Sequence, residues 1–115
     1  RFMHLEEIPE QYLHDLAFLR DMADQAVKDF ERFGYELLFN ADLPVSFENY
    51  KVQMAPQLRR WCKIEPERLP PLLYHIDLPE HLLTAGYGCK DPEKLADLIL
   101  QRELIKVVLR KHYSS

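Results

Sequence analysis

The last quarter of the chain carries the signals of one long helix, and this segment limits the fold more than any other. Asp91 is a good N-cap, and Pro92 suits the first helical position, where its missing N–H costs nothing. Three basic side chains lie at the other end, where the helix dipole favours positive charge: Arg110, Lys111 and His112. The sequence therefore predicts a helix from Asp91 to His112, about 30 Å long.

Apolar side chains cover more of this helix than a surface helix needs. One stripe follows the three-and-four spacing of a helical face and consists of Leu95, Leu98, Ile99, Ile105, Val108 and Leu109. Leu100, Leu104 and Val107 widen the stripe on one side. The width predicts a central helix. If part of the stripe is exposed, Leu100, Leu104 and Val107 are the candidate interaction surface.

The rest of the chain also favours helices over strands. It has three glycines and no Asn-Gly or Asp-Gly pair that would join two strands in a tight hairpin. An amphipathic helix is predicted from Pro9 past Phe30, with Gly34 as its C-terminal signal. We therefore expect one all-α domain over residues 1–115, a small bundle of four or five helices whose long first and last members are antiparallel neighbours.

Prolines divide the middle of the chain into shorter helices. Ser46 is a candidate N-cap for a helix that Pro56 interrupts, and the conformation of residues 35–56 as a whole stays open. Further breaks are expected at Pro66, Pro70 and Pro71, before a short apolar run at residues 72–76. Asp77 and Glu80 form a capping-box pattern for a brief helix over residues 78–85, which Gly86 would end.

Two features of the sequence indicate the cellular compartment of the protein, namely its two cysteines and its lack of a long apolar run. No segment approaches the length of a transmembrane helix, and the first residues lack the apolar core of a signal peptide. Cys62 and Cys89 do not form a disulfide framework or a zinc-binding spacing, so free thiols are expected. These features predict a soluble cytoplasmic protein without a membrane partner.

One cluster contains the residue types that bind metal ions. His75, Asp77, His81 and Cys89 lie close together in the sequence, and imidazole, carboxylate and thiolate groups are typical zinc ligands. However, six positions and Pro79 separate the two histidines, which does not match two ligands on one helical face. We therefore predict no metal, cofactor or catalytic residue. A metal-dependent or ligand-binding enzyme that uses this region stays the first alternative.

The charges suggest a second alternative. Residues 1–50 contain 11 acidic and four basic side chains, whereas the remainder contains eight acidic and 11 basic ones. Arg59, Arg60 and Lys63 flank Trp61, and the C-terminal end is basic, as in proteins that bind phosphates and stack bases. The overall net charge of −4 counts against a nucleic-acid partner. The favoured function is therefore a protein-interaction or assembly module, with a homodimer as one possible form.

Overall fold

A computed structural model describes residues 8–78 and 87–113 of the chain. Within these ranges the regular structure is helical, which confirms the predicted all-α class. The elements in order are a 3-10 turn (Glu10–His14), α1 (Leu16–Arg32), α2 (Phe47–Ile64), a 3-10 turn (Pro66–Arg68), α3 (Leu69–Ile76), α4 (Tyr87–Lys90) and α5 (Pro92–Tyr113).

Helix α5 is the central element, as its sequence predicts. It begins after Asp91, whose carboxylate accepts a hydrogen bond from the Lys94 N–H at 3.1 Å, and it ends one residue beyond the predicted limit. Helices α1 and α2 both pack along α5, while α3 packs against α1 and α5. Lys106 contacts Asp29 and Lys111 contacts Asp21, so the chain directions of α5 and α1 are antiparallel, as predicted.

The width of the apolar stripe on α5 reflects burial on several sides. Leu100, Leu104 and Val107 each have 0% exposure. The exposure on which the candidate interaction surface depended is therefore absent at these three residues. Because α5 lies between neighbouring helices, the side chains that widen its stripe complete the core instead of facing a partner.

Helix α1 begins later than its apolar pattern predicts. The residues after Pro9 form the 3-10 turn, and Asp15 then caps α1 by accepting hydrogen bonds from the N–H groups of Ala17 and Phe18. The predicted end is confirmed at Gly34, which has a φ of 88°. A side chain at that position would be strained by the backbone and would also meet the Arg68 guanidinium.

Helix α2 passes through Pro56, so the predicted interruption at this residue is wrong. Ser46 does cap the helix, and its hydroxyl accepts the Asn49 N–H at 3.0 Å. Pro56 has no N–H to donate to the carbonyl of Val52, four residues earlier. Both residues are exposed, so water can solvate the free carbonyl and the helix continues to Ile64.

The breaks predicted at Pro70 and Pro71 are wrong, because both prolines lie in the first turn of α3, where no N–H is needed. Helix α3 is therefore longer than the apolar run that predicts it. Asp77 ends this helix in a left-handed conformation with φ 75°. The helix predicted over residues 78–85 begins at Leu78, which is described and is not helical. The rest of this predicted helix, together with Glu80 and Gly86, falls within residues 79–86, which lie outside the described residues.

Cys62 and Cys89 form a disulfide, with their Cα atoms 5.7 Å apart. The predictions of free thiols and of no disulfide are therefore wrong. The two residues are 27 positions apart in sequence, and no local pattern shows that the last turn of α2 meets α4. The bond encloses α3 within a closed loop of the chain.

Candidate functional site at the junction of α1, α3 and α5

Three ionisable side chains meet inside the helix bundle. Asp29 lies in the second half of α1, and Glu103 and Lys106 lie one turn apart on α5. Asp29 is 4% exposed and Glu103 is 0% exposed, which is rare for carboxylic acids in so small a protein. We refer to Asp29, Glu103 and Lys106 as the carboxyl cluster.

Lys106 supplies the positive charge of the cluster. Its Nζ lies 2.8 Å from Asp29 Oδ2 and 3.4 Å from Glu103 Oε1. The other oxygen of Asp29 accepts a hydrogen bond from Gln25 Nε2 at 3.0 Å and lies 3.5 Å from His75 Nε2. Asp29 therefore contacts an ammonium, an amide and an imidazole, whereas Glu103 depends on its two charged neighbours.

The environments of the two carboxyl groups push their pKa values apart. Burial, followed by the hydrogen bond and charge of Asp29, raises the pKa of Glu103 to about 9. Burial also opposes ionisation of Asp29. However, hydrogen bonds from Glu103 and Lys106 and the charge of Lys106 outweigh that effect, so the pKa of Asp29 is lowered. At neutral pH Glu103 is a neutral acid and Asp29 is a carboxylate.

Protonation also gives Glu103 a hydrogen bond that its carboxylate form lacks. Among the described residues, no donor points at either Glu103 oxygen with hydrogen-bond geometry. A buried carboxylate without donors is costly, whereas a protonated carboxyl group can itself donate to Asp29. The pair therefore holds one proton between two carboxyl groups and titrates as a unit.

His75 connects the carboxyl cluster to the surface. Its ring contacts Asp29 on one side and lies 5.3 Å, centroid to centroid, from the Phe33 ring. An open groove of about 820 Å³ begins at this histidine. It is lined by Phe33, Pro70, Pro71, Tyr74, His75 and Asp77, and we call it the α3 groove.

The structure does not bring the four metal-ligand candidates together. His75 contacts Asp29, while Asp77 forms an ion pair with Arg102 at 2.7 Å. Cys89 is bonded to Cys62 and cannot supply a thiolate, and His81 lies outside the described residues. In the described part of the chain, no group of three or more His, Cys, Asp and Glu side chains is arranged to hold a metal ion.

The basic residues considered for nucleic-acid binding are mostly engaged within the protein. Arg59 forms an ion pair with Glu93, and the Arg60 guanidinium lies 5.9 Å from the centroid of the Trp61 ring. Lys63 is exposed. The basic end of α5 contacts α1 through Lys106, Arg110 and Lys111. Part of the charge difference between the two halves of the chain is therefore used in internal pairing.

Sequence reasoning missed Asp29 and Glu103 as site residues, although one signal was present. Glu103 lies four residues after Ile99 and four before Val107, so it lies on an otherwise apolar face of α5. An acid at such a position must find a buried partner or remain neutral. Which residue partners it depends on the packing of α1 against α5.

Comparisons with known proteins give no further assignment. No family model matches the chain, and neither a curated protein nor a solved structure shows significant similarity to it. Over residues 8–78 and 87–113, no helix is long and apolar enough to cross a bilayer.

Proposed function

We propose that the protein is a protein-interaction module that receives an apolar side chain of a partner protein in the α3 groove. The observation that carries this proposal is Tyr74, which is 74% exposed in a groove that it shares with Phe33, Pro70 and Pro71. Single exposed apolar residues are common on protein surfaces, but contiguous ones around a concavity are typical of binding sites.

Tyrosine is well suited to such a role. Its ring offers a large apolar surface with few rotatable bonds, and its hydroxyl keeps the surface compatible with water when no partner is bound. Aromatic residues are enriched at the centres of protein interfaces and contribute much of their binding energy. The side chains that line the groove contribute few polar groups, namely the Tyr74 hydroxyl, the His75 imidazole and the Asp77 carboxylate. Such a set is better suited to orienting a bound side chain than to catalysing a reaction.

The carboxyl cluster contacts the lining of the α3 groove at His75. Asp29 holds His75 from one side while Phe33 packs against its ring, so the groove wall has a defined shape before a partner arrives. Asp77, at the end of α3, is tied to Arg102 on α5. A rigid surface loses less conformational entropy on binding, which favours affinity.

Site-specific photocrosslinking in the cells that produce the protein tests this proposal. A photoreactive phenylalanine analogue replaces Tyr74, and the matched control places it at Val52, an exposed apolar residue on α2 outside the groove lining. We expect discrete protein crosslinks from position 74 that are absent from position 52. A crosslink to a second copy of the chain would identify the partner as the protein itself.

Two outcomes would contradict the proposal. Position 74 could yield no crosslinked protein although the variant folds, which circular dichroism would establish. Alternatively, both positions could yield the same set of products, which would indicate collisions instead of a binding site.

The predicted cytoplasmic location depended in part on free thiols. Because Cys62 and Cys89 are joined in the structure, that premise is wrong. Disulfides are typical of proteins that fold in oxidising compartments. Photocrosslinking should therefore be carried out in the compartment where the oxidised protein accumulates.

A further inference from the structure

A second concavity lies where three elements of the fold meet: the first 3-10 turn, the start of α2 and the middle of α5. It is lined by side chains from residues 8–14, from residues 46–48 and from Asp97 and Gln101 of α5. Its volume is about 540 Å³, which is within the usual range for small-molecule sites. Its lining includes exposed residues of the turn and of α2, so the concavity is open to solvent. We call it the Asp97 pocket.

Apolar side chains form one part of the pocket wall. Ile8, Leu13 and Phe47 line the pocket, are half-buried and pack against the core of the bundle. Packing against the core restricts their movement. Ligand sites typically combine such apolar walls with a few polar groups that orient the ligand. The Asp97 pocket therefore favours a ligand with an apolar body over a bare ion.

One polar group of the pocket lacks the partner that similar groups in this protein have. In residues 8–78 and 87–113, five carboxyl side chains are buried or half-buried. Four of them contact a lysine or an arginine, namely Asp21, Asp29, Glu65 and Glu103. The fifth is Asp97, whose carboxylate has no ion pair or hydrogen bond with the described residues. A charge that loses water without gaining a partner is costly, and a cationic ligand would supply the missing partner.

Gln101 adds a second acceptor beside Asp97. It lies one helical turn later on the same face of α5, and its side-chain amide also has no hydrogen bond with the residues that the structure describes. An ammonium group has three donors, so one such group can donate to the Asp97 carboxylate and to the Gln101 side-chain carbonyl. Lys94, one turn before Asp97, is exposed, lies outside the lining and forms no ion pair with Asp97. Both acceptors are therefore available to a ligand.

The other charged groups of the lining are paired at its rim. Glu48 lies 3.1 Å from Lys51 Nζ and in the first turn of α2, where it complements the helix dipole. Glu10 lies 3.9 Å from the imidazole of His14. Neither lysine nor arginine lines the pocket in the described part of the chain. The lining thus contains three acids and one histidine, a balance that attracts cations and repels anions.

We infer that the Asp97 pocket binds a small organic amine whose ammonium group is held by Asp97 and Gln101 and whose apolar body packs on Ile8, Leu13 and Phe47. A lysine side chain of a partner protein carries the same charge but would leave most of the volume unfilled. The pocket shares no lining residue with the α3 groove, so this inference goes beyond the proposed protein interaction and is independent of it.

NMR titration of the oxidised full chain with four matched probes tests this inference. Phenylbutylamine carries an ammonium group and an apolar body. Phenylbutanol and phenylbutyrate replace the ammonium with a neutral and with an anionic group, and butylamine lacks the ring. We expect saturable shifts at Asp97, Gln101 and Phe47 with phenylbutylamine, and a Kd at least about tenfold lower than for the other three probes.

Matched variants test the roles of the two acceptors. Asp97→Asn keeps the shape of the side chain but removes its charge, so it should raise the Kd for phenylbutylamine by about tenfold or more. Asp24→Asn, at an exposed carboxylate outside the lining, should leave this Kd unchanged. Gln101→Leu should raise the Kd several-fold because one acceptor is lost. Tyr74→Ala should leave the Kd unchanged, so failure of this inference and failure of the α3 groove are distinguishable.

The stability of Asp97→Asn separates a binding role from a structural one. Because the carboxylate has no partner within the described part of the chain, its removal should not lower the free energy of unfolding measured with urea. A residue that supports binding without supporting stability is typical of functional sites. A loss of stability in this variant would show that the carboxylate has a structural partner and would contradict the inference.

Four further results would overturn the inference. Phenylbutyrate could bind as tightly as phenylbutylamine, or no probe could give saturable shifts. Butylamine could bind as tightly as phenylbutylamine, in which case the pocket holds a cationic side chain such as lysine instead of a small molecule. Finally, the shifts could lie at Tyr74 and His75 while the signals of Asp97 and Gln101 stay unchanged.

Discussion

The two long contacts of α5 are built differently. Along α1 the contact contains a series of polar pairs, which join Asp21 to Lys111, Gln25 to Arg110 and Asp29 to Lys106. Along α2 the core residues are apolar, and the exposed ion pair of Arg59 and Glu93 joins α2 to α5. We call these contacts the polar seam and the apolar seam.

The two seams contribute to the fold in different ways. Apolar burial stabilises a contact without preferring one alignment of two helices, because the hydrophobic effect is not directional. Buried charges contribute little net stability, but they penalise every alignment that leaves one of them unpaired. We therefore expect the part-buried pair of Asp29 and Lys106 to favour one alignment of α1 on α5, and the apolar seam to supply stability that does not depend on pH.

The largest expected effect comes from removing the central cation of the polar seam. Lys106→Met leaves the Asp29 carboxylate buried without its ammonium partner, and we expect the free energy of unfolding to fall by about 3 to 5 kcal/mol. Urea denaturation at pH 7 measures this loss of free energy of unfolding. The matched control is Lys111→Met, whose exposed pair with Asp21 should change stability by less than about 1 kcal/mol. Equal losses of stability in both variants would mean that burial of an ion pair does not determine its contribution to the free energy of unfolding in the polar seam.

The disulfide beside the apolar seam should have the next largest effect. Reduction releases a loop of 27 residues, and its closure entropy predicts a loss of about 3.5 kcal/mol in the free energy of unfolding. Denaturation with and without a phosphine reductant measures this loss. The double variant Cys62→Ser and Cys89→Ser should have the same free energy of unfolding as the reduced protein. The reductant should not change the stability of this variant. If the reductant leaves the midpoint of the unmodified protein unchanged, the link does not constrain the unfolded chain.

The polar seam should also make stability depend on pH through Glu103. Its pKa is about 9 in the folded protein and near 4.3 in the unfolded chain, so between these values the folded state binds more protons. The contribution of this group is fully present below about pH 4 and is lost as pH rises towards 9. Asp29, with a lowered pKa, has the opposite sign: its contribution is lost as pH falls through its folded value.

Glu103→Gln tests that pH dependence. Glutamine keeps the shape of the side chain and can donate to Asp29 at any pH, so the stability advantage of the variant should grow by roughly 1 kcal/mol per pH unit from pH 5 to pH 8. The advantage should shrink as pH approaches 5. Urea denaturation from pH 5 to 9 measures both slopes. Parallel curves for the two proteins would show that Glu103 does not hold the proton.

The smallest effect is expected at the exposed pair of the apolar seam. Arg59→Ala removes the ion pair with Glu93, whose two side chains are both well exposed to water. The urea midpoint should stay within experimental error at low and at high salt, because exposed pairs are screened and contribute little. A large, salt-dependent loss would show that this seam too relies on charge.

Local signals in the sequence predicted much of the fold but little of the candidate site. Asp91 and Pro92 marked the start of α5, and Gly34 marked the end of α1, because caps and glycine turns depend on neighbouring residues. Pro56 was misread because tolerance of a proline within a helix depends on whether water reaches the carbonyl four residues earlier. The width of the apolar stripe correctly predicted that α5 is the central helix. The width alone could not show which face of α5 is exposed to solvent.

The sequence by itself determined the helical class and the start and central place of α5, since periodicity and caps act within a few residues of the chain. Only the tertiary structure decided that Glu103 meets Asp29, that Cys62 meets Cys89, and that Gln53 and Gln57 hold the backbone of Asn40 and Leu38. These features depend on side chains far apart in sequence, and their burial, protonation and pairing arise from the distances and solvent exclusion that packing creates.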